Sequence, residues 1–247
     1  VVYMVDYPAR GRSPYVPGVD GQLGIRTATE LSQIWTGPVL SGGNFPRMQK
    51  YTQWPSDHPK KGTMGDPVFD NFIKGQMQFV QNQAELAVPA GIALLDAIGK
   101  PVILLTHSQG GGFGWTIADR RPNLVKAIVT LEAAGPPIKG VDTAKVAYQQ
   151  GGGLSWGVTA TPITYEPAVK DPSELQTVLE TAAPSEPGTV PCYLQKEPAR
   201  KLVNLSKIPV LFMSAEGGYH HCQIDNVSVG VAYMWDWLET VLKPQAA

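Results

Sequence analysis

Cysteine is scarce in this chain: 247 residues contain two, Cys192 and Cys222. That excludes a disulfide-built scaffold and a four-cysteine zinc site, and it leaves room for a single Cys192 to Cys222 disulfide. Net charge is scarce too, with 20 Lys and Arg against 21 Asp and Glu, or −1 overall. Nothing in that balance favours nucleic acid, an anionic membrane surface or electrostatic steering of a charged partner. No apolar run approaches the roughly 18 residues a membrane span needs. Internal repeats, low-complexity tracts, an initiator Met and a signal-peptide pattern are also lacking. The first residues, Val1-Val2-Tyr3-Met4-Val5-Asp6, read as a strand, so the chain is expected to be processed or truncated and to lack opening strands.

Glycine and proline are plentiful. There are 26 Gly and 22 Pro, against a usual combined share of roughly 12%. With 43% hydrophobic residues the chain has material for a sizeable core, and one domain over 1–247 is expected. A long Gly/Pro-rich and aromatic stretch runs from Tyr7 to about Gly65. From Asp66 the pattern turns helical through Val68, Phe69, Phe72, Ile73 and Val80, with Asp66 and Pro67 as N-cap and first turn. A second helix, near Val88 to Ile98, ends at Gly99. Pro101 to Thr106 is an unbroken apolar run, as in a parallel strand buried on both faces. A glycine-rich helix follows to near Arg120, then a strand over Val125–Leu131. This strand, helix and strand make a right-handed parallel crossover. Residues 135–200 return to Gly and Pro, with a short helix near Pro172 to Thr181, and are expected to form a cap. A last strand spans Ile208 to Ser214. A C-terminal helix, roughly Ser228 to Leu242, carries Val231, Met234, Trp235, Leu238 and Leu242 on one stripe.

The most informative residues are Thr106-His107-Ser108-Gln109-Gly110, placed between a buried strand and a helix. They resemble the G-x-S-x-G nucleophile elbow of α/β-hydrolases, with Thr106 in place of the first Gly. A serine on such a turn projects above the carboxyl edge of the sheet, where open α/β folds bind ligands. The helix N-terminus favours negative charge there, and the Gln109 N–H is placed to donate to an oxyanion. A weakly nucleophilic hydroxyl needs a base, and the base needs an orienting acid. Glu132 ends the next strand and is the leading acid, with Asp225 its rival. His220 and His221 follow the last strand; one of them is the expected base, with His221 nearer the final helix. His107 and His58 read as structural. His220, His221 and Cys222 without a fourth ligand do not make a zinc site, so neither metal nor cofactor is expected.

The chain is similar to bacterial esterases of the α/β-hydrolase fold and their fungal relatives, whose triad is Ser, Glu and His. The resemblance rests on Asp6-Tyr7-Pro8-Ala9-Arg10-Gly11-Arg12-Ser13, Gln53-Trp54-Pro55, Gly65-Asp66-Pro67-Val68-Phe69-Asp70, the elbow, Trp156-Gly157-Val158-Thr159, Pro162-Ile163-Thr164-Tyr165 and the Trp237 region. It implies an α/β fold with a mostly parallel sheet, Ser108 as nucleophile and Glu132 as acid. It further implies hydrolysis of small carboxylic esters through an acyl-enzyme. Lactone or carbon–carbon bond hydrolysis on the same triad, or a binding protein that has lost its base, are the alternatives. The family places an oxyanion loop ahead of the segment that opens this chain; Gly42-Gly43 lies too late to be that loop. Trp35, Phe45, Trp54, Trp156 and Tyr165 are candidates for an apolar pocket, Trp156 and Tyr165 first among them as substrate contacts. The sequons Asn204-Leu205-Ser206 and Asn226-Val227-Ser228 suit a secreted eukaryotic chain.

Overall fold

The computed structural model describes residues 1–36, 54–133, 140–142, 147–149, 154–180, 192–213 and 227–242. The chain divides into two units, one built on Val1–Ala87 and the other on Val88–Asp142 and Val146–Ala247.

In the first unit, β1 (Leu23–Gly24) pairs antiparallel with β2 (Phe79–Val80). Helix α1 (Ala28–Leu31) opens on a reciprocal cap: the Glu30 amide donates to Thr27 Oγ1 at 3.2 Å and the Thr27 amide to Glu30 Oε2 at 2.7 Å. Helix α2 (Pro67–Lys74) starts as the sequence predicts, with Asp66 as N-cap and Pro67 in the first turn. Asp66 is wholly buried. It accepts from the amides of Val68 (3.1 Å) and Gly62 (2.9 Å) and from the Trp54 indole (2.6 Å). Burial alone raises its pKa; these bonds to the carboxylate outweigh that and lower it from 3.8 to about 2. Val80, expected to prolong the helical pattern, lies on β2 instead, because Gly75 caps α2 and the chain turns there. Phe69 and Val80 are fully buried.

The opening residues correct another expectation. Val1 to Val5 are exposed and, among the described residues, pair with no strand. An apolar alternation becomes a strand only when a neighbour takes its backbone N–H and C=O groups. The chain then enters a tight turn: the Arg12 amide donates to Asp6 Oδ2 at 3.0 Å, and Gly11, at φ +50°, passes where a Cβ would lie 2.5 Å from the Asp6 carboxyl.

Helix α3 (Gln83–Ile98) begins five residues before the predicted start near Val88 and contains Pro89. It ends at Gly99, whose φ is +63°. The second unit centres on β3 (Val102–His107), α4 (Gln109–Arg120) and β4 (Val125–Leu131). At the close of α4, Arg121 forks onto Asp96 of α3 with bonds of 2.8 and 2.9 Å. The segment 135–200 contributes short antiparallel pieces: β5 (Gly140–Asp142) with β6 (Ala147–Gln149), β7 (Tyr165–Glu166), and β8 (Thr177–Glu180) with β9 (Cys192–Gln195). The helix expected at Pro172 to Thr181 is only a 3-10 turn over Pro172–Glu174. An Asp171–Glu174 capping box starts it, but Thr177-Val178-Leu179 prefer the strand that β9 completes. β10 (Lys201–Leu202) pairs with β7, and β11 (Val210–Met213) joins the central sheet.

That sheet has the order β11-β4-β3, all parallel, in register Met213↔Leu131↔His107 at its carboxyl end. The fold is thus mixed α and β around three parallel strands, while the remaining described ladders are antiparallel pairs. β4 is buried on both faces. Ile128 packs with Leu95, Trp115, Ala118 and Leu205, and Ala127 and Val129 pack with Leu211, Met213 and Leu238 of α5 (Val227–Leu242). Each buried Val, Leu, Ile or Met side chain among them contributes about 1.5–3 kcal/mol. β3 departs from the expectation of burial on both faces. Among the described residues it has β4 as its one neighbour, and Ile103 and Leu105 are 40% and 60% exposed. α5 also corrects the predicted stripe: Met234, Trp237, Leu238 and Leu242 face the sheet, whereas Trp235 is exposed.

Candidate active site

Ser108 is the single residue between β3 and α4, and its backbone sits at φ 51° and ψ −124°. A side chain in that region is strained by about 1–3 kcal/mol and persists only where the surroundings fix it. Here the Ser108 amide donates to the Leu131 carbonyl of β4 at 3.0 Å, and the Gly111 amide donates to the Ser108 carbonyl at 3.0 Å. Serine at the start of a helix ordinarily caps it through its oxygen. Ser108 makes no such bond, so its hydroxyl is not used to begin α4.

Glu132 occupies the equivalent place on the neighbouring strand. Its amide donates to the Met213 carbonyl at 2.8 Å, and it too has positive φ, 46°. Leu131 is the register partner of both His107 and Met213. Ser108 and Glu132 therefore leave adjacent parallel strands one residue past a shared rung, at the carboxyl edge, where such strands run about 4.8 Å apart. Gln109 is the first residue of α4, among the amides that have no partner within the helix.

The packing around this turn depends on absent side chains. A Cβ on Gly111 would lie 2.5 Å from the Ala133 Cβ, and one on Gly114 would lie 2.5 Å from the Thr106 γ-methyl. Thr106 and Thr130 are register partners, and both hydroxyls are buried without a hydrogen-bond partner among the described residues.

Tyr165 is buried in the core, and its hydroxyl donates to the Trp156 carbonyl at 2.7 Å. Burial first, and the Asp119 charge second, push its pKa up to about 12. Trp156 is half-buried, and its amide donates to the Thr159 carbonyl at 3.0 Å. His58 Nδ1 accepts from the Lys60 amide at 3.2 Å, a turn contact. His107 is exposed at the end of β3. His220, His221, Cys222, Asp225, Gly42, Gly43, Phe45 and the sequon asparagine Asn226 lie outside the described residues.

Asp119 escaped the sequence reading. Near the polar end of a helix it reads as solvated, yet it is buried, and its Oδ2 accepts from the Thr164 amide (3.0 Å) and hydroxyl (2.9 Å). The Asp119 carbonyl accepts from Asn204 Nδ2 at 2.9 Å. These bonds tie α4 to the 159–165 segment and to the start of the β11 approach. The nitrogen that a glycan would occupy on Asn204 is thereby engaged within the fold.

The architecture is that of a strained serine joining a parallel strand to a glycine-rich helix, with an acid at the same edge. Comparison with known proteins adds a relative. The chain is 41% identical over 224 residues to the probable secreted lipase phiG of a fungus (Fungal sp., strain ATCC 74256). The match covers 89% of this chain and 57% of the relative, so the chain spans little more than half of that protein's length. No family model and no solved structure matches.

Proposed function

We propose that the chain is part of a secreted serine hydrolase of the α/β-hydrolase type, which cleaves carboxylic esters through an acyl-enzyme. The observation that carries this reading is the Ser108 backbone, held at positive φ one residue beyond the rung it shares with the strand of Glu132. The name of the lipase relative supports ester chemistry and secretion.

In this mechanism His220 or His221 removes the Ser108 proton as Oγ attacks the ester carbonyl. The carbonyl oxygen becomes an oxyanion, to which the Gln109 amide donates. Glu132 steadies the imidazolium, which then protonates the departing alcohol. Water, deprotonated by the same histidine, attacks the acyl-Ser108 ester and releases the acid. Loss of one oxyanion donor lowers such rates by about 10²–10³. Trp156 and Tyr165 belong to this proposal as contributors to the substrate wall, Tyr165 through the Trp156 carbonyl it holds.

The test is hydrolysis of p-nitrophenyl esters of graded acyl length by the wild-type protein and by Ser108→Ala and Glu132→Gln. Turnover abolished by the first and strongly reduced by the second supports the assignment. Turnover unaffected by Ser108→Ala contradicts it.

A further inference from the structure

The motif that Thr106-His107-Ser108-Gln109-Gly110 resembles has glycine where this chain has Thr106, because bulk beneath the turn collides with the helix beyond it. The structure shows where that bulk goes. The Thr106 γ-methyl occupies the space beside Gly114, one turn into α4, at 2.5 Å from where a Gly114 Cβ would stand. Real Cβ atoms do not approach that closely, so a side chain at 114 and the Thr106 γ-methyl cannot both keep these positions, and either the methyl or the helix must shift. We propose that Thr106 and Gly114 are a size-matched pair of positioning residues. By setting how closely α4 lies on β3, they set where the Ser108 hydroxyl and the Gln109 amide stand. The proposal rests on Ser108 being the nucleophile.

Neighbouring atoms and residues serve as internal controls. The next-nearest Thr106 atoms to the Gly114 position are Cβ at 3.5 Å and Oγ1 at 3.6 Å, ordinary contacts. Among the described residues, truncating Thr106 to Ala therefore removes the one close contact. Gly111 is blocked by a different neighbour, the Cβ and backbone Cα of Ala133 at 2.5 and 2.9 Å. Changing Thr106 cannot relieve that. At Gly112 a Cβ meets nothing within 4 Å among the described residues. Where no clash intervenes, glycine-to-alanine in a helix interior favours the helix by about 1 kcal/mol. A loss of reactivity in Gly114→Ala is thus separable from a loss of helix stability.

The experiment measures the rate at which a fluorophosphonate modifies Ser108, with circular dichroism melting alongside. Gly112→Ala is expected to react near the wild-type rate, and Thr106→Ala several-fold more slowly, because the γ-methyl that spaces α4 from β3 is gone. Gly114→Ala is expected to slow by about 10²-fold, the scale of a 1 Å displacement at a reacting group. Thr106→Ala/Gly114→Ala is expected to recover most of the rate, and Thr106→Ala/Gly111→Ala is not. If Gly114→Ala does not fold, recovery of both folding and labelling in Thr106→Ala/Gly114→Ala carries the same inference. Gly114→Ala reacting like wild type, or a double variant that recovers nothing, overturns the pairing while leaving the nucleophile in place. A folded wild-type protein that is never modified at Ser108 overturns the nucleophile assignment and this proposal with it.

Discussion

Ser108 and Glu132 are held by consecutive backbone steps of one ladder. The Ser108 amide donates to the Leu131 carbonyl, and the amide of the following residue, Glu132, donates onward to the Met213 carbonyl of the third strand. Both residues then depart at positive φ. Strand spacing and register thus fix where the two backbones leave the sheet.

The strain at Ser108 has a direct consequence. Glycine adopts φ +51° without penalty, so Ser108→Gly is expected to raise stability by about 1 kcal/mol while abolishing ester turnover. Urea denaturation of wild type and variant measures this. A destabilised Ser108→Gly would show that the turn is not strained.

Asp66 gives the first unit a pH dependence. Its folded pKa, about 2, lies below the ordinary 3.8. Its contribution is therefore complete above about pH 4 and is lost as the pH falls toward 2. Melting temperature should decline through that window, and Asp66→Asn should both lower stability at neutral pH and flatten the decline. An unchanged acid slope in the variant would assign the effect to other carboxylates.

Two buried threonines should behave oppositely when replaced by valine. Thr130 Oγ1 has no hydrogen-bond partner among the described residues, so Thr130→Val is expected to be neutral or stabilising by about 1 kcal/mol. Thr159 Oγ1 donates to the Thr161 carbonyl at 2.6 Å, and Thr159→Val should cost about 1–2 kcal/mol. Equilibrium unfolding distinguishes them.

Asn204 is expected to carry no glycan in the folded protein, because its Nδ2 is bonded to the Asp119 carbonyl. Asn204→Ala should destabilise by about 1 kcal/mol through that lost bond. Peptide mapping after glycosidase treatment checks the first point and thermal melting the second.

Where local chemistry and tertiary need agree, the elements were legible in the sequence. β4 has the predicted bounds, α4 follows the elbow to Arg120, and Asp66-Pro67 begins α2. The placement of Ser108, Gln109 and Glu132 at one sheet edge was legible for the same reason: an apolar run, a small-residue turn and a second apolar run bring them there. The misses are cases decided by a partner distant in sequence. Thr177–Glu180 is a strand because Cys192–Gln195 pairs with it. Trp237 rather than Trp235 packs inward because of where α5 rests on β4 and β11. Asp119 is buried because Thr164 meets it, and the fit of Thr106 to Gly114 exists only once helix and strand are packed. No periodicity in the chain encodes those encounters.

The most direct test of the nucleophile assignment is mass-spectrometric mapping of the fluorophosphonate adduct on the folded protein, followed over time in wild type and Glu132→Gln. A single adduct on Ser108 is expected, formed much more slowly in Glu132→Gln. A folded protein that forms no adduct, or forms it on another residue, contradicts the assignment.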